Sequence, residues 1–475
     1  MKRWILICLT VGGCGDDIKG KPDASMPVDA SVDAPMQMGV VNVSALNHYL
    51  TEAGDATAPA MGYQIIDSTD RVITPSTGAN GNLQFTNVAP GNYFLCDVSF
   101  ITRVNCVQGS SSVLDVSRYL AGRPNFAKAS AGTTLNLTMT GLTASAGPNE
   151  FIDLRTLNVN YIEYPGSPPA GTVLFQSLNY KDFGLLQPAD VMRATQLVTK
   201  TSGSETYVAA VRSGSTTGIT MADAQPTTAM VNLSTELPQD TTRTFNLRRT
   251  QFANVAGSPG PGFTYLQLDL NGWSEARPYN YQPWVFWYTG AGNETMDLPL
   301  TVTYGDPTPS NYVDTFEAAF WFQNTITAPG ATSGGVVQTF VATYRPSSEL
   351  TGDVTPKLSR VTGLKVNGMD ATVSQSNLTV TPTVSWTPPS LGTATHYQVY
   401  VYRVINQAGA SIISVDGVFT TTNTSMRVPP MFIRPGEPFM IGVRAYMVPG
   451  YDPLKPFARP THYDLADTIS TILTP

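Results

Sequence analysis

At 475 residues the chain has room for about three domains of ordinary size. Only 13% of its residues are charged, about half the usual share, and the formal net charge is −7. No basic cluster exists to release counterions from a phosphate backbone, which excludes nucleic acid as a partner. No stretch approaches the about 18 consecutive apolar residues of a membrane helix.

The chain opens with Met1, Lys2 and Arg3, an apolar run over residues 4–9, and then Val11-Gly12-Gly13-Cys14. A short basic start, an apolar core and small residues before a break make a secretory signal, too short to span a bilayer permanently. Val-Gly-Gly-Cys resembles the lipobox of bacterial lipoproteins. The resemblance implies removal of residues 1–13 and lipidation of Cys14, with a membrane partner reached through acyl chains. Each buried methylene contributes about 0.8 kcal/mol, so two or three long chains anchor firmly. An aspartate after the cysteine marks inner-membrane retention in Gram-negative lipoproteins. Gly15 stands there, with Asp16 one place later, and the implied location is the outer membrane.

Cysteine usage agrees with export. Cys8 leaves with the signal and Cys14 is lipidated, so Cys96 and Cys106 remain. In an oxidising compartment a disulfide is the default, and closing so short a loop stabilises by roughly 2–3 kcal/mol. Two cysteines without nearby histidines do not complete a zinc site.

Residues 14–39 comprise the lipidated cysteine and a linker. Asp23-Ala24-Ser25, Asp29-Ala30-Ser31 and Asp33-Ala34-Pro35 recur with almost nothing to bury, the composition of a disordered segment. About 25 flexible residues reach about 25–30 Å. The segment resembles the Asp-Ala-Pro spacers behind the anchor of bacterial surface lipoproteins.

From Val40 the pattern is β. Val41 and Val43 alternate, Asn80-Gly81 signals a hairpin, Leu83 and Phe85 share a face, and Pro90-Gly91 turns the chain before Tyr93 and Leu95. This stretch resembles the carboxypeptidase regulatory-like, prealbumin-like β-sandwich domains, with Leu83 where the first aromatic is usual. The resemblance implies a structural or binding accessory without catalysis. Residues 112–120, bounded by Gly122 and Pro124, read as one or two turns of helix. Leu135, Leu137 and Met139 return to a period of two, and the unit is bounded at 40–144.

Residues 145–355 form a central β domain of no recognised family. Strand-like runs recur at 173–178, 206–211, 229–233, 243–247, 263–270, 298–304 and 336–344, and Asn271-Gly272 marks a tight hairpin. The run 316–322 reads as strand, with helix the alternative. No strict period marks a repeat, and the spacing suits a sandwich or an irregular propeller-like sheet.

Over 356–475, Trp386 lies in an early strand, Tyr397 opens the third, and Pro435-Gly436 precedes a strand running from Phe439 to Ala445, with residues 469–473 as the final strand. This resembles a fibronectin type III domain. Phe439 replaces the usual tyrosine, which removes the corner hydrogen bond of its hydroxyl. No Arg-Gly-Asp tripeptide occurs, so integrin-type adhesion has no support. The fold class is all-β: a multidomain chain of β-sandwiches, prealbumin-like, larger central, and fibronectin type III-like.

Candidates for chemistry are sparse. The three histidines, His48, His396 and His462, sit in no His-Glu-x-x-His pattern, and no Gly-x-Ser-x-Gly occurs. Carboxylate pairs offer Asp306, Asp314 and Glu317, or Glu150 and Asp153, although Asp306 before Pro307 reads as a turn residue and spacing three places Glu150 and Asp153 on opposite strand faces. Asp67 with Asp70, and Asp464 with Asp467, are oxygen-rich turns without an EF-hand pattern. The leading binding candidates are aromatic: Trp273, Tyr281, Trp284, Trp287 and Trp321, with Tyr279 and Tyr288 among them. Flat rings beside amides and carboxylates suit a sugar, and the same rings fill sandwich cores. Alternation puts Trp284, Phe286 and Tyr288 on one face and Trp287 on the other.

The sequence therefore points to a cell-surface lipoprotein acting as a non-catalytic binding or scaffolding module, with no cofactor or metal and with polysaccharide or envelope and surface proteins as candidate partners. The alternative is a divergent secreted hydrolase using carboxylates of the central domain; a purely structural envelope protein is the third reading.

Overall fold

The computed structural model describes residues 39–475 except 100–102, 145–149, 160, 164–172, 257–263, 275–276, 291–295, 309–311 and 459–461. The signal, Cys14 and most of the linker lie outside the described residues. Strands dominate throughout, and the one α-helix among the described residues is Arg249–Ala256. The chain is all-β and multidomain: separate hydrophobic cores follow one another along it, joined by a 17-stranded sheet that runs through them among the described residues.

The first core forms where apolar alternation meets turn chemistry. Val40–Ser44 pairs antiparallel with Asn82–Thr86, so Val41 and Val43 sit opposite Phe85 and Leu83. Tyr63–Ile66 and Tyr93–Asp97 pair in the second layer and supply Tyr63, Ile65, Tyr93 and Leu95. Asn80 and Gly81 take positive φ (59° and 77°) at the turn before Asn82, a conformation that these two residue types adopt at little cost. The stretch expected to be helical is instead two strands, Val113–Asp115 and Arg118–Ala121. Ser117 N donates to Asp115 Oδ1 (3.0 Å), a local turn that competes with helix, and each strand finds a parallel partner.

Thr134–Thr140, grouped by sequence with the first unit, belongs to the second core. It pairs antiparallel with Val173–Asn179 and parallel with Pro226–Asn232, and it buries Leu135, Leu137 and Met139 against Ile152, Leu154 and Ala194. Alternation states which face is apolar but not which strands lie beside it.

A third core lies between two layers. Thr241–Leu247 and Leu298–Tyr304 make one face. Thr264–Ser274, Arg277–Gly290, Tyr312–Ile326 and Gly335–Pro346 make the other, so residues 316–322 are strand. Phe245, Leu247, Leu300 and Val302 meet Phe286, Phe316 and Phe320, and Phe252 from the short helix plugs the end. Asn271-Gly272 does not turn. Gly272 pairs with Asp314 inside Thr264–Ser274, and the register shifts around Asn271 and Trp273 absorb the two turn-prone residues as irregular pairing.

In the fourth core, Thr362–Val366, Thr383–Thr387 and Ser425–Arg427 form one sheet. His396–Gln407, flanked by Ala410–Thr421 and Phe439–Met447, faces it. Trp386 packs edge-on against Tyr397 with centroids 5.1 Å apart. The final strand is Tyr463–Ile469 rather than 469–473; Leu473 makes only isolated bridges to Phe439 and Gln375.

Strand pairing also joins these units to one another. Gly335–Pro346 pairs with Tyr463–Ile469, and Ala410–Thr421 pairs in parallel with Val104–Gly109 of the first unit, placing Phe419 beside Cys106. The Cys96–Cys106 disulfide forms, and both cysteines pack into the core of the fourth unit. A double Cys96→Ala, Cys106→Ala variant is expected to lose roughly 2–3 kcal/mol, read as a lower urea midpoint than the oxidised wild type.

Candidate functional site

The aromatic candidates divide three ways. Trp273 lies in Thr264–Ser274 and Tyr281 in Arg277–Gly290, but their side chains, like that of Tyr279, lie outside the described residues. Trp321 is core: it is 3% exposed, meets Phe340 edge-on at 4.1 Å, and packs with Tyr344, Tyr446 and Tyr463 where the third and fourth units join.

Trp284 and Trp287 do come together, and on the same face, with centroids 5.4 Å apart. Strict alternation would separate them. The pairing steps from Leu270–Phe286 to Asn271–Trp284, so Val285 is an extra residue, and this bulge turns Trp284 to the side of Trp287. Phe286 and Tyr288 remain buried in the third core. Phe151, which sequence reasoning did not single out, completes the cluster edge-on at 5.6 Å from Trp284 and 6.1 Å from Trp287. Its position beside a charged pair in Phe151–Thr156 was the available signal.

That charged pair holds the bulge. Asp153, fully buried, accepts Arg155 Nε (2.8 Å) through Oδ1 and the Trp284 backbone N–H (2.8 Å) through Oδ2. Glu150 is also buried and accepts Thr199 N (3.0 Å). Glu317 accepts the Tyr344 hydroxyl (2.7 Å). Tyr288 donates to Glu205 Oε2 (2.8 Å), and burial, reinforced by that carboxylate, pushes its hydroxyl up to about 12. Apart from the Asp153–Arg155 pair, each of these contacts links two segments of the fold.

Asp306 and Asp314 are different, because the fold brings them together around Thr308. Thr308 N donates to Asp306 Oδ1 (2.7 Å) and Thr308 Oγ1 donates to Asp314 Oδ1 (3.2 Å). Burial, with the Asp306 charge beside it, pushes Asp314 up to about 6 against the pull of Thr308 and Arg243. Sequence spacing named both residues but not their convergence, which depends on a loop between two strands.

The candidate cation turns are filled by protein donors. Burial works to raise Asp67, but the side chains and backbone of Thr69 and Arg71 outweigh it and hold the carboxyl well below its usual range. Arg427 makes a bidentate pair with Asp70, Arg345 pairs with Asp464, and Arg444 with Asp467. Among the described residues no three His, Cys, Asp or Glu side chains gather as a metal group. His48 lies in the first unit against Tyr119, whereas His396 is buried between Tyr446 and Tyr451 in the fourth.

No protein-family model matches the chain, and no curated protein matches it. Among solved structures 37 chains are similar. One, described as a Ca2+-stabilised adhesin that helps an Antarctic bacterium reach out and bind ice, aligns at 12% identity over 91% of this chain and 99% of its own, with a TM-score of 0.13. Chicken CNTN1 FN1–FN3 domains align at 11% identity over 71% of this chain and 99% of theirs, with a TM-score of 0.14. Superpositions at this level carry no argument about what the chain does.

Proposed function

We propose that the chain is a surface lipoprotein, anchored through Cys14 in the outer membrane, whose β units act as a non-catalytic binding or scaffolding module. The observation that carries this reading is the use of two buried carboxylates and a half-buried one. Asp153, Glu150 and Glu317 accept hydrogen bonds that hold strands and a bulge in place, which leaves none of them positioned as an acid or base. The two-sheet layout of the fourth core supports the fibronectin type III resemblance, and the layered alternation of the first supports the regulatory-like one. Both domain types imply accessory roles. The test is to incubate the protein with polysaccharides and follow retention and new reducing ends together. Retention without cleavage is expected, and cleavage overturns the reading.

The hydrolase alternative keeps one specific support, the Asp306–Asp314 pair with Asp314 raised. Its test also yields a stability prediction. A carboxyl raised to about 6 when folded, above its usual 3.8, contributes stability that is full below pH 3.8 and lost as pH rises through about 6. Asp314→Asn keeps the neutral shape, so it is expected to stabilise by about 1–2 kcal/mol at pH 7 and to flatten the slope between pH 4 and 6. The measurement is urea unfolding across that pH range. If Asp314 is instead a catalytic acid, the same substitution abolishes a hydrolysis that the wild type performs.

A further inference from the structure

The outer face of the three-stranded sheet in the second unit carries a pattern the aromatic candidates do not. Its register is regular: Thr138 sits between Phe175 and Met230, Asn136 between Ser177 and Thr228, and Thr140 between Val173 and Asn232. The residues between them point inward to Leu135, Leu137 and Met139. No residue of Thr134–Thr140, Val173–Asn179 or Pro226–Asn232 is charged. At the centre, Phe175 is 75% exposed and Met230 61% exposed, large apolar side chains left in water beside hydroxyls and amides.

We propose that this face binds a neutral polysaccharide chain, with a sugar ring stacked on Phe175 and its hydroxyls hydrogen-bonded by Asn136, Thr138 and Ser177. The proposal rests on the binding reading above and gives it a ligand class. Three arguments select the occupant. The first is charge: a face without a single ionic group on a chain of net −7 offers nothing to an anionic polymer and repels it at long range. The second is chemistry. The flat face of an aromatic ring takes the apolar C–H surface of a sugar, and side-chain hydroxyls and amides match its hydroxyls in both donor and acceptor roles. The amides are already oriented: Ser177 donates to Asn136 Oδ1 (2.8 Å) and Thr140 to Asn232 Oδ1 (3.2 Å), so each NH2 group remains a donor. The third is size. Alternate residues lie about 6.7 Å apart along a strand and strands about 4.8 Å apart, so the three rows span about 13 by 10 Å. That is far below the about 800 Å² per partner of a stable protein interface, but it suits one extended chain.

The test is native affinity electrophoresis of the whole chain carrying Cys14→Ser, run through gels containing galactomannan, mixed-linkage β-glucan, dextran or the anionic alginate. Retardation by at least one neutral polymer and not by alginate is expected. Phe175→Ala is expected to weaken it at least ten-fold, and Thr138→Asp to abolish it. Both positions lie on the outer face, so thermal unfolding should stay within a degree or two of wild type, which separates lost binding from lost fold. Retardation by none of the neutral polymers, or retardation that survives Phe175→Ala, overturns the proposal. If it survives Phe175→Ala but is lost in Trp287→Ala, the binding reading stands and this face falls. If the neutral polymers are retained and also cut, the face stands and the non-catalytic reading falls.

Discussion

Asp153→Ala is expected to lower the free energy of unfolding by about 3–5 kcal/mol, the cost of removing one partner of a buried ion pair. Asp153 is fully buried and does two jobs with two oxygens: it neutralises Arg155 and accepts the Trp284 backbone N–H. Without it, Arg155 stays buried without this counter-charge, and the N–H that starts the bulge loses its acceptor. An orphaned backbone donor adds its own desolvation penalty of about 1–3 kcal/mol, though the two costs overlap. Asp153→Asn is expected to cost less, because one amide oxygen can still accept from Trp284. Guanidinium denaturation followed by tryptophan emission measures both, and the alanine variant should also shift the emission of Trp284 and Trp287 before unfolding begins. A loss below about 1 kcal/mol would mean that the bulge is held by its neighbours' packing and not by this carboxylate.

Phe419→Ala is expected to cost a similar about 3–5 kcal/mol and to loosen one particular seam. Phe419 is buried edge-on against Phe94 of the first unit (5.3 Å) and Phe432 of the fourth (4.8 Å), on the strand that pairs in parallel with Val104–Gly109. Hydrogen exchange should therefore rise in Tyr93–Asp97 and Val104–Gly109 while Met192–Ser202 keeps its protection. The exposed Arg427–Asp70 pair crosses the same seam but is worth little, about 0–1 kcal/mol, because both side chains remain in water. Arg427→Ala is the matching control, because Asp70 itself sits at φ 64° where alanine is strained, and it should leave exchange in the first unit unchanged.

What the sequence revealed depended on whether a residue's structure is decided by its immediate neighbours. Leu83 and Phe85 alternate into the core as their spacing requires, and Asn80-Gly81 turns, because both signals are local. Cys96 and Cys106 were readable as a bond because they are the only two cysteines outside the segment expected to be a signal and its lipidation site. Where the outcome depended on a distant strand, the reading stopped. Leu135, Leu137 and Met139 announced a buried face, but their partners stand at 173–179 and 226–232. Trp284 and Trp287 were placed on opposite faces because a one-residue bulge leaves no trace in the pattern that precedes it. The Asn271-Gly272 turn signal was overruled by a longer hairpin whose strands continue past it. The face around Phe175 escaped for a related reason: its three segments were each read only as a strand, and only register brings Phe175, Thr138 and Met230 into one row.

The proposed anchoring of the chain at a membrane surface through Cys14 is tested directly by the N-terminus of the protein isolated from cell envelopes. Mass spectrometry of the first tryptic peptide should find Cys14 as the first residue, carrying acyl chains, and Cys14→Ser should move the protein from the membrane fraction to the soluble one. An N-terminus elsewhere, or membrane association that persists in Cys14→Ser, would contradict it.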